Sequence, residues 1–147
     1  MTQPEAADVA GKKVLVVDDE KFVRELIKIK LGRCGLVVLE AANGLEAVEM
    51  AQAQRPDMIL LDVMMPKMNG FEACEKLKTN PTTARIPVLM LTARGEQENH
   101  EKGISLGATD YMSKPFSPQK LAELVIEILA RTSSKSSEQG KREGEEG

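Results

Sequence analysis

Apolar residues fall along this chain in short runs separated by amphipathic stretches. Val14-Leu15-Val16-Val17 is a β-branched run that closes on Asp18-Asp19; it reads as a strand buried on both faces, as in a parallel sheet. From Glu20 to Gly32, Val23, Leu26, Ile27 and Leu31 recur at helical spacing, and Gly32 and Gly35 end the helix. The alternation then repeats. Leu36 to Leu39 is a second strand, and Gly44 to Ala53 a helix with Ala47, Val48 and Ala51 inward, stopped by Pro56. Met58 to Leu61 is a third strand ending at Asp62, followed by a helix from Gly70 to Lys78 with Ala73, Cys74 and Leu77 on one face. Val88 to Leu91 is a fourth strand ending at Thr92, followed by a helix from Glu96 to Leu106. Asp110 to Ser113 is a fifth strand ending at Lys114. The last helix runs from Ser117 to Arg131, with Leu121, Leu124, Val125, Ile128 and Leu129 inward, Ser117 as N-cap and Pro118 in the first helical position.

This order predicts the α/β class: a five-stranded parallel sheet, doubly wound by right-handed crossovers, with helices on both faces. Residues 1-11 form a polar, Ala-rich lead expected to lack structure, and 12-131 form the folded domain. From Thr132 to Gly147 no apolar residue occurs, so 132-147 is expected to be a disordered tail or the start of a linker. The fourth helix buries little beyond Ile104 and should be mobile.

Composition narrows the function classes. The chain has 147 residues, enough for one domain with its own core. Its net charge of -3 argues against nucleic-acid binding through bulk electrostatics, and one Tyr, three Phe and no Trp argue against a base-stacking surface. Cys34 and Cys74 form no CxxC pair and read as reduced thiols. No apolar run is long enough for a membrane span, and no signal-peptide pattern opens the chain, so a cytoplasmic location is expected.

In sheets of this kind the active crevice lies beyond the C-terminal strand ends. Asp18, Asp19, Asp62, Thr92 and Lys114 all stand at such ends, on four different strands. Three carboxylates brought together repel one another unless a divalent cation neutralises them. With oxygen ligands only, Mg²⁺ (or Mn²⁺) suits them better than zinc. A lysine and a threonine opposite that metal suit a phosphoryl group, whose transfer rests on positioning and charge neutralisation. Asp62, alone at the end of the central strand, is the candidate nucleophile; the Asp18-Asp19 pair is better suited to the metal.

The segments Val-Val-Asp18-Asp19-Glu20, Leu-Leu-Asp62-Val-Met-Met-Pro66-Lys-Met-Asn-Gly70, Leu-Thr92-Ala93-Arg94 and Tyr111-Met-Ser-Lys114-Pro115-Phe116 together resemble the receiver domains of bacterial two-component response regulators, from about Lys13 to Arg131. The resemblance implies a flavodoxin-like receiver fold in which Asp62 is phosphorylated by a sensor histidine kinase or a histidine phosphotransfer protein. It implies that Mg²⁺ sits on Asp19, Asp62 and the backbone carbonyl of Met64, with Asp18 in the same pocket. Thr92 would bond the phosphoryl group and Lys114 would pair with it, with a cis peptide before Pro115. Tyr111 would swing inward when Thr92 moves. The face of fourth helix, fifth strand and fifth helix would then change its affinity for an output protein, as a monomer or a phosphorylation-dependent dimer. Met64 and Arg94 flank the phosphoryl position and would tune its lifetime, with slow self-dephosphorylation expected.

On this reading the chain is a signalling switch, catalysing only its own phosphorylation and dephosphorylation. A stand-alone, chemotaxis-regulator-like protein with no direct nucleic-acid or membrane contact is favoured. The alternative is a receiver excised from a longer regulator with a DNA-binding or enzymatic output domain. Two rivals carry less weight. Phosphatases of the haloacid-dehalogenase type place their nucleophile after the first strand, with a second Asp two residues on; here Asp18 and Asp19 are adjacent. A degenerate receiver would lack part of the acidic pocket. His100 reads as a surface histidine, and Met64, Met65 and Met68 as loop and rim residues, because no thiolate or imidazole partners stand near them in sequence.

Overall fold

The computed structural model describes residues 5–63, 68–93, 107–114 and 116–146, with backbone alone for 93, 114 and 133–146. It holds β1 (Lys13–Val17), α1 (Lys21–Arg33), β2 (Val37–Ala41), α2 (Gly44–Gln54), β3 (Met58–Asp62), α3 (Gly70–Thr79), β4 (Val88–Ala93), β5 (Asp110–Lys114) and a C-terminal helix (Pro118–Glu146). The strands form one sheet in the order β2-β1-β3-β4-β5, every pair parallel. This is the flavodoxin-like arrangement expected. The chain leaves β1 toward β2 and returns to the other side of β1 with β3, so the strand order reverses between β1 and β3 and opens a crevice there.

The unbroken apolar runs conceal a period of two. Val14, Val16, Met58, Leu60, Leu89 and Leu91 face one core, which α1 closes with Ile27 and Leu31 and the C-terminal helix with Leu121, Val125, Ile128 and Leu129. Leu15, Val17, Ile59, Leu61, Val88 and Met90 face the other, closed by Ala47 and Ala51 of α2 and Ala73, Cys74 and Leu77 of α3. Helix starts follow local chemistry. Asn43 and Asn69 cap α2 and α3 by accepting the N–H groups of Glu46 (2.9 Å) and Glu72 (3.0 Å). The Ser117 hydroxyl accepts the N–H of Lys120 at 3.4 Å, in line with its expected cap role.

Four expectations need correction. The second strand lies later than Leu36 to Leu39, at Val37–Ala41, because it is an edge strand whose partial burial blurs the pattern. Leu26 is 40% exposed: Val23, Ile27 and Leu31 fill the stripe of α1 that meets the sheet, and Leu26 falls beside it. The lead is not structureless as a whole. Ala6–Val9 makes a 3-10 turn, Val9 is buried in the first core, and the N–H of Gly11 donates to the carbonyl of Gly35 (2.8 Å). The last helix continues past Arg131 to Glu146. The fourth helix, with His100 and Ile104, lies outside the described residues.

Neither cysteine is in a disulfide; Cys34 is half-buried and Cys74 buried. Burial pushes the Cys74 thiol above its ordinary range, with the nearby Lys78 ammonium opposing in part. Iodoacetamide at pH 8 is therefore expected to alkylate Cys34 and spare Cys74 until urea unfolds the chain; equal labelling of both in the native protein would contradict this packing.

Candidate functional site

Strand register builds the site. Val17 of β1 pairs with Leu61 of β3, so the residues that follow them, Asp18 and Asp62, emerge side by side. Asp62 pairs with Leu91 of β4, which sets Thr92 one step beyond it, and Thr92 pairs with Ser113 next to Lys114. Asp18, Asp62, Thr92 and the backbone of Lys114 thus reach the same edge of the sheet, at its switch point. Asp18 is 0%, Asp62 5% and Thr92 1% exposed. Polar side chains this deep at strand ends are costly to keep unless they are held by partners or serve a site.

The acidic loop after β1 is tightly tied. Asp18 donates its N–H to the carbonyl of Ala41 (3.2 Å), and its carboxylate accepts the N–H of Glu20 (2.9 Å). Carboxylate oxygens of Asp18, Asp19 and Glu20 lie within 4.8 Å of one another. Opposite ligands of an octahedral Mg²⁺ lie about 4 Å apart, so an all-oxygen set of this spread fits such an ion. Glu20 is the member that sequence reading left out.

The β3–α3 connection is held from below. The N–H of Gly70 donates to the carbonyl of Val63 (2.9 Å) and that of Gly44 to the carbonyl of Met68 (3.1 Å), so the starts of α2 and α3 both grip the loop that follows Asp62. Neither glycine has room for a side chain: a Cβ on Gly70 would meet the backbone of Asp62 and Val63, and one on Gly44 the backbone of Met68. Tyr111 is 39% exposed, and its N–H donates to the Asp110 carboxylate (2.8 Å). Met64, Arg94, Pro115 and the Lys114 side chain lie outside the described residues.

Sequence reading also missed Arg24. Its Nη1 donates to the carbonyl of Asp18 (2.7 Å) and its Nε to Glu40 (3.2 Å), across α1 and β2. No spacing rule marks such a brace, because its ends meet only in the folded sheet.

Residues 14–126 match the family described as Response regulator receiver domain. The chain is 42% identical over 130 residues to the phosphate regulon transcriptional regulatory protein PhoB of Pseudomonas aeruginosa, covering 88% of this chain and 57% of that protein. It is 44% identical over 122 residues to the alkaline phosphatase synthesis transcriptional regulatory protein PhoP of Bacillus subtilis, covering 83% and 50%. The chain spans about half the length of the curated relatives it matches. Among solved structures, the chemotaxis response regulator CheY4 of Vibrio cholerae matches with a TM-score of 0.75 at 37% identity, over 79% of this chain and 97% of that one. The Francisella response regulator 1452 receiver domain matches with a TM-score of 0.76 at 32% identity, over 84% and 99%.

Proposed function

This chain belongs to the response regulator receiver domain family of two-component systems, and on that premise we propose that Asp62 is its phosphoacceptor, in a pocket completed by Asp18, Asp19, Thr92 and Lys114. The observation that carries the reading is the register that brings Asp18, Asp62 and Thr92, all nearly without solvent exposure, to one strand edge. A carboxylate oxygen of Asp62 attacks the phosphorus of a phosphohistidine on a histidine kinase or phosphotransfer protein. The P–N bond breaks, the acyl phosphate forms, and the imidazole leaves with a proton. Asp18, Asp19 and Asp62, with the Met64 carbonyl, would hold Mg²⁺ or Mn²⁺, which would offset the charge shared by Asp62 and the phosphoryl oxygens. Lys114 pairs with one phosphoryl oxygen and Thr92 donates its hydroxyl to another. Tyr111, half-exposed beside Met90 in the β4–β5 register, follows Thr92 and alters the partner-binding face formed by the fourth helix, β5 and the C-terminal helix.

The chain's role is that of a signalling switch, whose own phosphorylation and dephosphorylation are its catalytic repertoire. A second architecture, in which this receiver governs an attached DNA-binding unit, draws support from the names of the curated relatives and from the part of each that lies outside the match. The receiver chemistry is the same in either case.

Acetyl phosphate with Mg²⁺, followed by intact mass, tests the reading. A metal-dependent gain of one phosphoryl group, absent in Asp62→Asn, supports it. A gain that survives in Asp62→Asn moves the chemistry off Asp62, and no gain in the wild type from acetyl phosphate or a phosphohistidine donor rejects it. On this reading Met64 would bring no group to orient a water, and Arg94 would shield the phosphoryl group or pair with it. The pair Met64→Asn with Arg94→Glu is therefore expected to speed phosphoryl loss several-fold in a decay assay; unchanged decay would refute that role.

A further inference from the structure

A half-buried relay runs from β2 to the acidic loop. Glu40, on β2, is 32% exposed in its side chain and accepts from Arg24 Nε at 3.2 Å, while Lys28 Nζ stands 3.5 Å from its other oxygen. Arg24, 15% exposed, turns its Nη1 to the carbonyl oxygen of Asp18 at 2.7 Å. On the other side of the same residue, the N–H of Asp18 donates to the carbonyl of Ala41, the neighbour of Glu40 on β2. Both polar groups of the Asp18 backbone are therefore anchored to the end of one strand, one directly and one through Arg24.

The carbonyl of Asp18 belongs to the peptide plane that leads into Asp19. A peptide group is flat and stiff, so holding its oxygen fixes the plane and the Asp19 Cα, and leaves the single rotation φ to aim the Asp19 side chain. The planar guanidinium fork suits this task, since its Nε and Nη1 reach two acceptors at a fixed angle, which a lysine ammonium cannot reproduce. We propose that Arg24, held by Glu40, is a positioning residue for the acidic pocket: it orients the Asp18–Asp19 peptide and so sets the affinity of the site for its divalent cation. The proposal rests on the receiver reading given above and extends it to two residues outside the pocket.

Coulomb repulsion and positioning predict opposite signs. Arg24 is a cation beside an acidic pocket, so its charge alone opposes a second cation, and removing it would tighten metal binding. Removing its geometry would loosen binding. Arg24→Lys keeps the charge and loses the fork; Glu40→Gln keeps Arg24 and weakens its anchor with little change of shape.

The test uses the full chain with Mg²⁺ titrated by calorimetry, phosphoryl uptake from acetyl phosphate across a range of Mg²⁺, and urea unfolding as a check on folding. Arg24→Lys is expected to raise the Mg²⁺ dissociation constant and the half-saturating Mg²⁺ for uptake several-fold together. The uptake rate at saturating Mg²⁺ should stay within twofold of wild type. Glu40→Gln should move both in the same direction by less. A purely structural contribution would lower the urea midpoint without moving the half-saturating Mg²⁺ of the folded protein. Wild-type Mg²⁺ affinity in both variants, or tighter binding in Arg24→Lys, overturns the proposal. If Arg24→Lys does not fold, Glu40→Gln decides by salt: a raised Mg²⁺ dissociation constant that persists at high ionic strength, where the lost charge is screened, supports positioning, and one that vanishes there overturns the proposal. If the wild type binds no Mg²⁺ and takes up no phosphoryl group, the receiver reading falls and this proposal with it.

Discussion

Gly70→Ala is expected to lose about 3 kcal/mol of stability and most of its phosphoryl uptake. Gly70 opens α3 directly beneath the end of β3. A Cβ there would stand 2.8 Å from the Cα of Val63 and 3.0 Å from the carbonyl carbon of Asp62, and would meet the Asp62 carbonyl oxygen as well. All three are backbone atoms, so no side-chain rotation relieves the clash; either α3 or the Asp62-Val63 peptide must move. The gain in helix propensity from Gly to Ala, at most about 1 kcal/mol, is too small to offset it. Because the displaced atoms carry Asp62 itself, geometry at the proposed phosphoacceptor suffers along with stability. Gly32, inside α1, supplies the control. Nothing lies within 4 Å of a Cβ built there, so Gly32→Ala should stabilise by about 0.5–1 kcal/mol. Urea unfolding with intact-mass uptake measures both. A Gly70→Ala protein as stable and as active as wild type would show that α3 does not press on β3 as described.

The second large effect lies in the sheet. Leu60→Ala is expected to cost about 3 kcal/mol, within the 2–5 kcal/mol typical of a buried leucine. Leu60 is fully buried on the central strand, and its register partners Val16 and Leu89 face the same core. No neighbour can collapse into the gap without leaving its own strand. Against a typical total of about 5–15 kcal/mol this is a large share. Val37 starts the edge strand and is 47% exposed, so Val37→Ala should stay within about 0.5 kcal/mol. Similar urea midpoints for the two variants would contradict the layered core.

Sequence pattern alone made the α/β alternation legible, because buried parallel strands write themselves as continuous apolar runs and Asp18, Asp62, Thr92 and Lys114 stop four of them. Meeting of those residues at one edge followed from topology rather than from any local signal. The pattern failed where burial is partial or contributed by one residue. Edge strand β2, with Val37 exposed and Val38 to Glu40 half-buried, was read too early in the chain. Val9 fills the first core from a segment whose composition looks unstructured, and one apolar residue in a polar lead carries no periodicity. Leu26 shows the converse error, since helical spacing defines a stripe but not its width. Glu20, Arg24 and the tight seats of Gly44 and Gly70 depend on distances between elements, which no sequence interval encodes.

The edge where Asp18, Asp62 and Thr92 meet is assembled from three strands, no two of the residues on the same one. The complete set exists only in the closed sheet, so an occupant that needs all of it binds the folded domain and not the open chain. Binding and folding are then linked: an occupant at a hundred times its dissociation constant adds about 2.7 kcal/mol to the whole domain. Proteases act on the opened chain, whose population falls in proportion. Occupancy of the pocket therefore bears on turnover as well as on signalling, and a chain with its pocket filled should outlast an empty one in the same cell.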